Sequence, residues 1–252
     1  MLKRISLVAL LMICFLTTAG VCLANDDARE AIRRGNSKVA MEQYEEAIKE
    51  YQRVPKTSGY LYGTARYNIG VCNYELSRSE EAVAEYSAAI EARSGRYPKA
   101  LYALGVVLEE LERWGDAGKA YQQAIDVSNG TYVEAYFRLG LVAFQGGNYA
   151  QASSLFREAI NRSKDHFPAS HNNLGVTLAL LGRFTEAERE FEIALEQASS
   201  KYDDALYNLA LCRSRLNSAR AERLALQATW RSGSEAIRAR NLALTHDLGT
   251  IK

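Results

Sequence analysis

At 252 residues, 48% hydrophobic and 24% charged, the chain is long enough to bury a sizeable core, and its ordinary composition excludes collagenous and disordered classes. Three prolines against many Ala, Leu, Glu and Arg residues lean it toward helix. The net charge of +1 carries no electrostatic signal for nucleic acid, and none is expected as a partner.

The chain opens with Lys3 and Arg4, an apolar run over 5–16 broken only by Ser6, and small residues in Cys22-Leu23-Ala24 at the two positions a signal peptidase inspects. This pattern predicts a secretory signal peptide over 1–24 and an exported mature chain, periplasmic or secreted. Extending the run to Leu23 across Thr17, Thr18 and Gly20 leaves an uncleaved membrane anchor as the alternative. A lipid-modified Cys22 is a weaker alternative, because Val21 stands where lipoprotein signals carry Gly, Ala or Ser. Membrane contact is expected only in those two cases.

Beyond the leader the sequence repeats with a period of 35, marked by Gly35, Gly70, Gly105, Gly140, Gly175 and Ala210. Twelve residues behind runs Ala47, Ala82, Ala117, Ala152 and Ala187, and four residues further Tyr51, Tyr86, Tyr121, Phe156 and Phe191. Another small series is Ala89, Ala124, Ala159 and Ala194, and Tyr62, Tyr97, Tyr132, Phe167 and Tyr202 mark where one unit gives way to the next. In chain order the predicted units are 28–62, 63–97, 98–132, 133–167 and 168–202. Within each, apolar residues recur at three- and four-residue steps in two blocks, as in Ala100, Leu101, Leu104, Val107 and Leu108 and then Ala117, Ala120, Tyr121, Ala124 and Ile125. Turn signals such as Gly146-Gly147-Asn148 and Leu181-Gly182-Arg183 separate the blocks, so each unit is expected to be an antiparallel helix pair. Pro98 and Pro168 open their units, where the first turn of a helix tolerates proline. A lone pair could not bury its apolar face, so the units must stack. After Arg213 the register weakens: Glu222 replaces the second-helix Ala and Leu226 the aromatic, which predicts a degenerate capping unit over 203–231. Ser232-Gly233-Ser234 then interrupts any helix and leaves 232–252 as a basic flexible tail.

Of the four cysteines, Cys14 and Cys22 belong to the leader. Cys72 and Cys212 each stand two positions after the small residue of a first helix, four units apart, which is beyond the span of a disulfide. They are expected to be small buried hydrophobes.

The residues Leu104-Gly105 with Ala117 and Tyr121, Leu139-Gly140 with Ala152 and Phe156, and Leu174-Gly175 with Ala187 and Phe191 resemble the tetratricopeptide repeat family. The resemblance covers roughly 28–216. It departs from the family pattern in the period of 35, in Ala31, Leu101 and His171 where an early Trp is usual, and in lacking the Pro near the unit's end. It implies an all-α, right-handed α-solenoid of stacked antiparallel helix pairs with a C-terminal capping helix.

The resemblance also implies that the second, fifth, sixth, ninth, twelfth and thirteenth places of each unit face a concave protein-binding groove. The fifth place gives Ile32, Tyr67, Tyr102, Phe137, Asn172 and Tyr207; the ninth gives Asn36, Val71, Val106, Leu141, Val176 and Leu211. Asn68, Arg138 and Asn173 at the sixth place and Lys99 at the second complete the candidate site. Exposed aromatics of this kind dominate binding energy at interfaces. The alternative for both series is packing between neighbouring first helices. Some family members hold a partner's C-terminal carboxylate, and Asn36, Asn68 and Lys99 fall on three of the five places involved. Ile32 and Ala103 occupy the other two, which removes the cations such a clamp needs.

No catalytic constellation is present in the sequence. His166 and His171 bracket Pro168, His246 stands apart, and neither a helical His pair nor a Cys-x-x-Cys offers a metal site, so the histidines are expected at the surface or in the groove. Glu109-Glu110-Leu111-Glu112 reads as a solvated helix end. No cofactor and no small-molecule substrate are expected. Residues 213–252 hold eight Lys or Arg against three acids, a net of +5, which leaves −6 for 25–212. Arg220, Arg223, Arg231, Arg238 and Arg240 either touch an anionic partner or solvate a capping helix and its tail. Asn129-Gly130-Thr131 and Asn161-Arg162-Ser163 match the glycosylation acceptor pattern and are read as chance matches. The expected function is non-enzymatic binding of a peptide or helix of a partner protein, with a self-assembling component of an envelope, secretion or surface-appendage complex as the alternative.

Overall fold

The computed structural model describes residues 25–164, 166–199 and 201–216. The expected leader, the second half of the expected capping unit and the expected basic tail lie outside these residues. Among them there are helices and turns and no strand. Residues 25–39 form α1. Then follow α2 (Tyr44–Tyr51), a 3₁₀ turn (Lys56–Ser58), α3 (Tyr60–Glu75), α4 (Ser79–Ala92), α5 (Pro98–Glu110), α6 (Trp114–Val127), α7 (Val133–Gln145), α8 (Tyr149–Arg162), α9 (Pro168–Leu180), α10 (Phe184–Gln197) and α11 (Asp203–Leu216). The fold is all-α, of the α-solenoid class.

The chain divides into two compact units, Met1–Val127 and Ser128–Lys252. In the first, α2 packs on α3, α3 on α4, α4 on α5 and α5 on α6. In the second, α7 packs on α8, α8 on α9, α9 on α10, and α11 on both α10 and α9. No described helix is long and apolar enough to cross a membrane.

Each helix pair closes around one glycine and one aromatic ring. A Cβ on Gly35 would lie 2.3 Å from Tyr51, and one on Gly70, Gly140 or Gly175 within 2.7 Å of Tyr86, Phe156 or Phe191. The alanines of the second helices, Ala47, Ala82, Ala117, Ala152 and Ala187, are wholly buried, which brings the backbones close enough for the rings to fill the gap. Tyr51, Tyr86, Tyr121, Phe156 and Phe191 are at most 3% exposed, so each contributes roughly 1.5–3 kcal/mol of burial.

The turn after each first helix is a left-handed residue closed by a six-to-one backbone bond. Ser77 has φ 58° and Glu112 φ 57°, with Arg78 N–H bonded to Asn73 O and Arg113 N–H to Leu108 O, both at 2.8 Å. Gly147 and Gly182 occupy the same place in the second unit, where glycine adopts the conformation without strain.

One element departs from the repeat. α2 has 8 residues, whereas α4, α6, α8 and α10 have 14. Pro55 is the cause: it lacks an N–H to continue the helix, and its ring disfavours helical geometry at Val54. The chain makes the 3₁₀ turn instead and enters α3 three residues ahead of the expected unit start.

Candidate functional site

The candidate site residues lie on the first helices of the pairs, and the structure seats Tyr67, Tyr102 and Phe137 against second-helix rings. In the first unit, Tyr67 of α3 is half-buried between Tyr86 and Tyr97, with ring centroids 5.6 and 5.4 Å away. Lys99, exposed in the first turn of α5, holds its Nζ 5.0 Å from the Tyr67 ring centroid. Tyr102 is half-buried against Tyr121 at 5.7 Å. Val71 and Val106 are half-buried beside them. Asn36 Oδ1 accepts bonds from the Tyr51 hydroxyl at 2.7 Å and from Asn68 Nδ2 at 3.3 Å. That amide oxygen is therefore already occupied in tying α1 to α2 and α3.

In the second unit, Phe137 is half-buried against Phe156 and Phe167, at 5.9 and 5.0 Å. Leu141, Arg138 and Tyr207 are also half-buried. Asn173 donates to Ala169 O at 2.8 Å along its own helix. Asn172 is placed otherwise than the sequence led us to expect. It is 1% exposed and its Oδ1 accepts from Asn208 Nδ2 at 3.0 Å, so it joins α9 to α11 and presents nothing to a partner. Val176, at 6% exposure, is likewise buried, unlike Val71, Val106 and Leu141 at the same place.

His171 also corrects the expectation of a surface or groove residue. It is 2% exposed, and its Nδ1 lies 2.7 Å from Glu190 Oε2, a contact that fixes α9 on α10. His166 is exposed. Cys72 and Cys212 are free and buried. Burial pushes the Cys72 thiol up to about 11 and the Cys212 thiol up to about 12, so neither supplies a thiolate near neutrality. Burial likewise raises the Tyr51 phenol to about 12 and raises that of Tyr86. Among the described residues no group of three or more His, Cys, Asp or Glu side chains is placed to hold a metal.

Several contacts on this face were not foreseen from the sequence. Tyr74 donates to Glu110 Oε1, linking the ends of α3 and α5. Arg93 lies between the rings of Tyr60 and Tyr97, 3.5 and 3.6 Å from their centroids, and donates to Thr64 Oγ1. The signal for the first was available: Glu75 and Glu110 share the thirteenth place of their units, one of the six the groove pattern names. No signal pointed to the second, since Tyr60 enters α3 only because Pro55 displaces the helix start.

Family models of the tetratricopeptide repeat match residues 25–97 and 137–203, and a second such model matches 96–165. No curated protein matches the chain. Among solved structures, PilF of Pseudomonas aeruginosa is 19% identical, covering 89% of this chain and 99% of its own, with a TM-score of 0.67. PilW, a widely conserved type IV pilus biogenesis factor, is 15% identical over 84% of this chain and 97% of its own, with a TM-score of 0.66. YrrB, a TPR protein with an unusual peptide-binding site, is 23% identical over 73% of this chain and 93% of its own, with a TM-score of 0.58. At these identities the likeness speaks for the fold alone.

Proposed function

Since this chain belongs to the tetratricopeptide repeat family, we propose that it is a non-enzymatic scaffold that binds a peptide or helix of a partner protein on the faces of its first helices. The observation that carries this reading is made in each unit by itself: Tyr67 and Tyr102 in the first and Phe137 in the second stay half-open against the fully packed rings of Tyr86, Tyr121 and Phe156, and Tyr207 is half-buried at the same place of its repeat. A half-open tyrosine offers an apolar plane with a wet tip at low entropic cost, the kind of surface that anchors a partner. YrrB, which shares the fold, is a TPR protein with a peptide-binding site, and this supports the reading without naming the partner. The leader over 1–24 supports action in the cell envelope or outside the cell.

The test is affinity capture from the native envelope with the mature chain, in parallel with a Tyr67→Ala, Tyr102→Ala, Phe137→Ala and Tyr207→Ala version of unchanged helicity. A protein held by the first and lost by the second supports the reading. Equal capture by both sinks it and turns attention to self-association, read by mass at increasing concentration.

A further inference from the structure

The charges on α5 stand in an order that its own fold does not call for. A helix favours anions in its first turn and cations in its last. The second helices of the first unit follow the first half of that rule, with Glu45 and Glu46 opening α2, Glu80 and Glu81 opening α4, and Asp116 opening α6. Alone among the described helices, α5 carries a cation in its first turn, Lys99, and it ends on Glu109 and Glu110. Beside it α3 ends on Glu75. Lys99 forms no ion pair among the described residues; its ammonium lies over the Tyr67 ring. The cations near the other end are already engaged with second-helix carboxylates, Arg78 with Glu45 and Arg113 with Glu80 and Asp116. Glu75 and Glu110 are exposed, and Glu110 is aligned with α3 by the Tyr74 hydroxyl.

Between these two rims lie Tyr67, Val71, Tyr102 and Val106, all half-buried, so an apolar strip runs from a cationic edge to an anionic one. Lys99 and Glu110 are eleven residues apart on one helix, about 16 Å along its axis. This arrangement costs α5 stability and is complementary to one kind of object. We propose that the first unit binds a helical segment of a partner protein, about three turns long, with an apolar stripe bordered by a carboxylate at one end and a Lys or Arg at the other. The carboxylate meets Lys99 and the cation meets Glu75 and Glu110, while the stripe lies on the tyrosines and valines. The inference rests on the binding-face reading above and adds the partner's charge pattern and its alignment with α3 and α5.

The test uses the full chain and three synthetic helical peptides with the same apolar middle: one with Asp at one end and Arg at the other, one with Asp at both ends, and one with Arg at both ends. The mixed peptide is expected to bind about tenfold tighter than either uniform one. In Lys99→Glu both rims are acidic, and the Arg-ended peptide becomes the tightest. In Glu75→Lys with Glu110→Lys the Asp-ended peptide does. Both substitutions are at exposed positions, and circular dichroism checks that the helices persist. Equal affinity for the three peptides, or an order that neither variant changes, overturns the proposal. If the three bind equally and Tyr67→Ala with Tyr102→Ala abolishes all binding, the face binds and only the charge inference fails. Binding untouched by the tyrosine changes, or no binding by any peptide, overturns both.

Discussion

A Cβ placed on Gly105 would lie 2.4 Å from Cε1 of Tyr121, well inside contact distance, and Tyr121 is wholly buried. Tyr102 packs against the same ring at a tilt, 5.7 Å between centroids, so a withdrawing Tyr121 would have to displace it. Gly105→Ala is therefore expected to destabilise the chain by about 1–3 kcal/mol through overpacking. Adding Tyr121→Leu should recover part of that loss, since the two changes act on one space. Urea unfolding of the single and double variants decides the matter, and strict additivity would show that the contact is not the cause.

The left-handed turn residues make a prediction of opposite sign. Ser77 adopts φ 58° at the place where Gly147, at φ 74°, stands in the second unit. Ser77→Gly should stabilise by roughly 0.5–1 kcal/mol and Gly147→Ala should destabilise by about 1 kcal/mol, with nothing near the new methyl to clash. Thermal melts of the two variants moving in the same direction would refute the assignment of these turns.

The buried amide pair Asn172 and Asn208 is expected to show strong coupling. Asn172→Leu leaves the Asn208 donor without the acceptor it has at 3.0 Å, a loss of about 1–3 kcal/mol. The double change to Leu removes both polar groups at similar volume and should cost less than the two single changes summed. A coupling energy near zero would mean that the bond contributes nothing to the join between α9 and α11.

Alkaline pH should weaken the fold in a defined window. The Cys72 thiol moves from 9.0 to about 11 on folding because burial disfavours the thiolate. A folded-state value above the unfolded one means that its stabilisation is complete below pH 9 and is lost as pH rises through about 11. Tyr51, raised from 10.0 to about 12, repeats the loss one unit higher. Stability measured by urea titration should thus fall from about pH 9 upward. The fall between pH 9 and 11 should be shallower in Cys72→Ala, whatever that variant's absolute stability. Parallel curves would remove Cys72 as a contributor.

What the sequence determined by itself is local and periodic. The spacing of Gly105, Ala117 and Tyr121 and of their equivalents states which residues of a helix pair must meet, because helix periodicity and close approach are properties of short stretches. The effect of Pro55 is as local, since it cannot continue α2, but the period of 35 by itself predicts a unit start at 63 and not the entry into α3 at Tyr60. The fate of a face was not legible, because it depends on residues a full repeat away. Tyr67, Tyr102, Phe137 and Asn172 occupy one place in four units, yet three remain half-open and Asn172 is sealed with Asn208 as its partner. Period 35 makes those positions equivalent, whereas solvent access is set by the side chains that neighbouring helices bring over them. The tertiary structure alone therefore decided that Lys99 lies over Tyr67 and that Arg93 lies between Tyr60 and Tyr97.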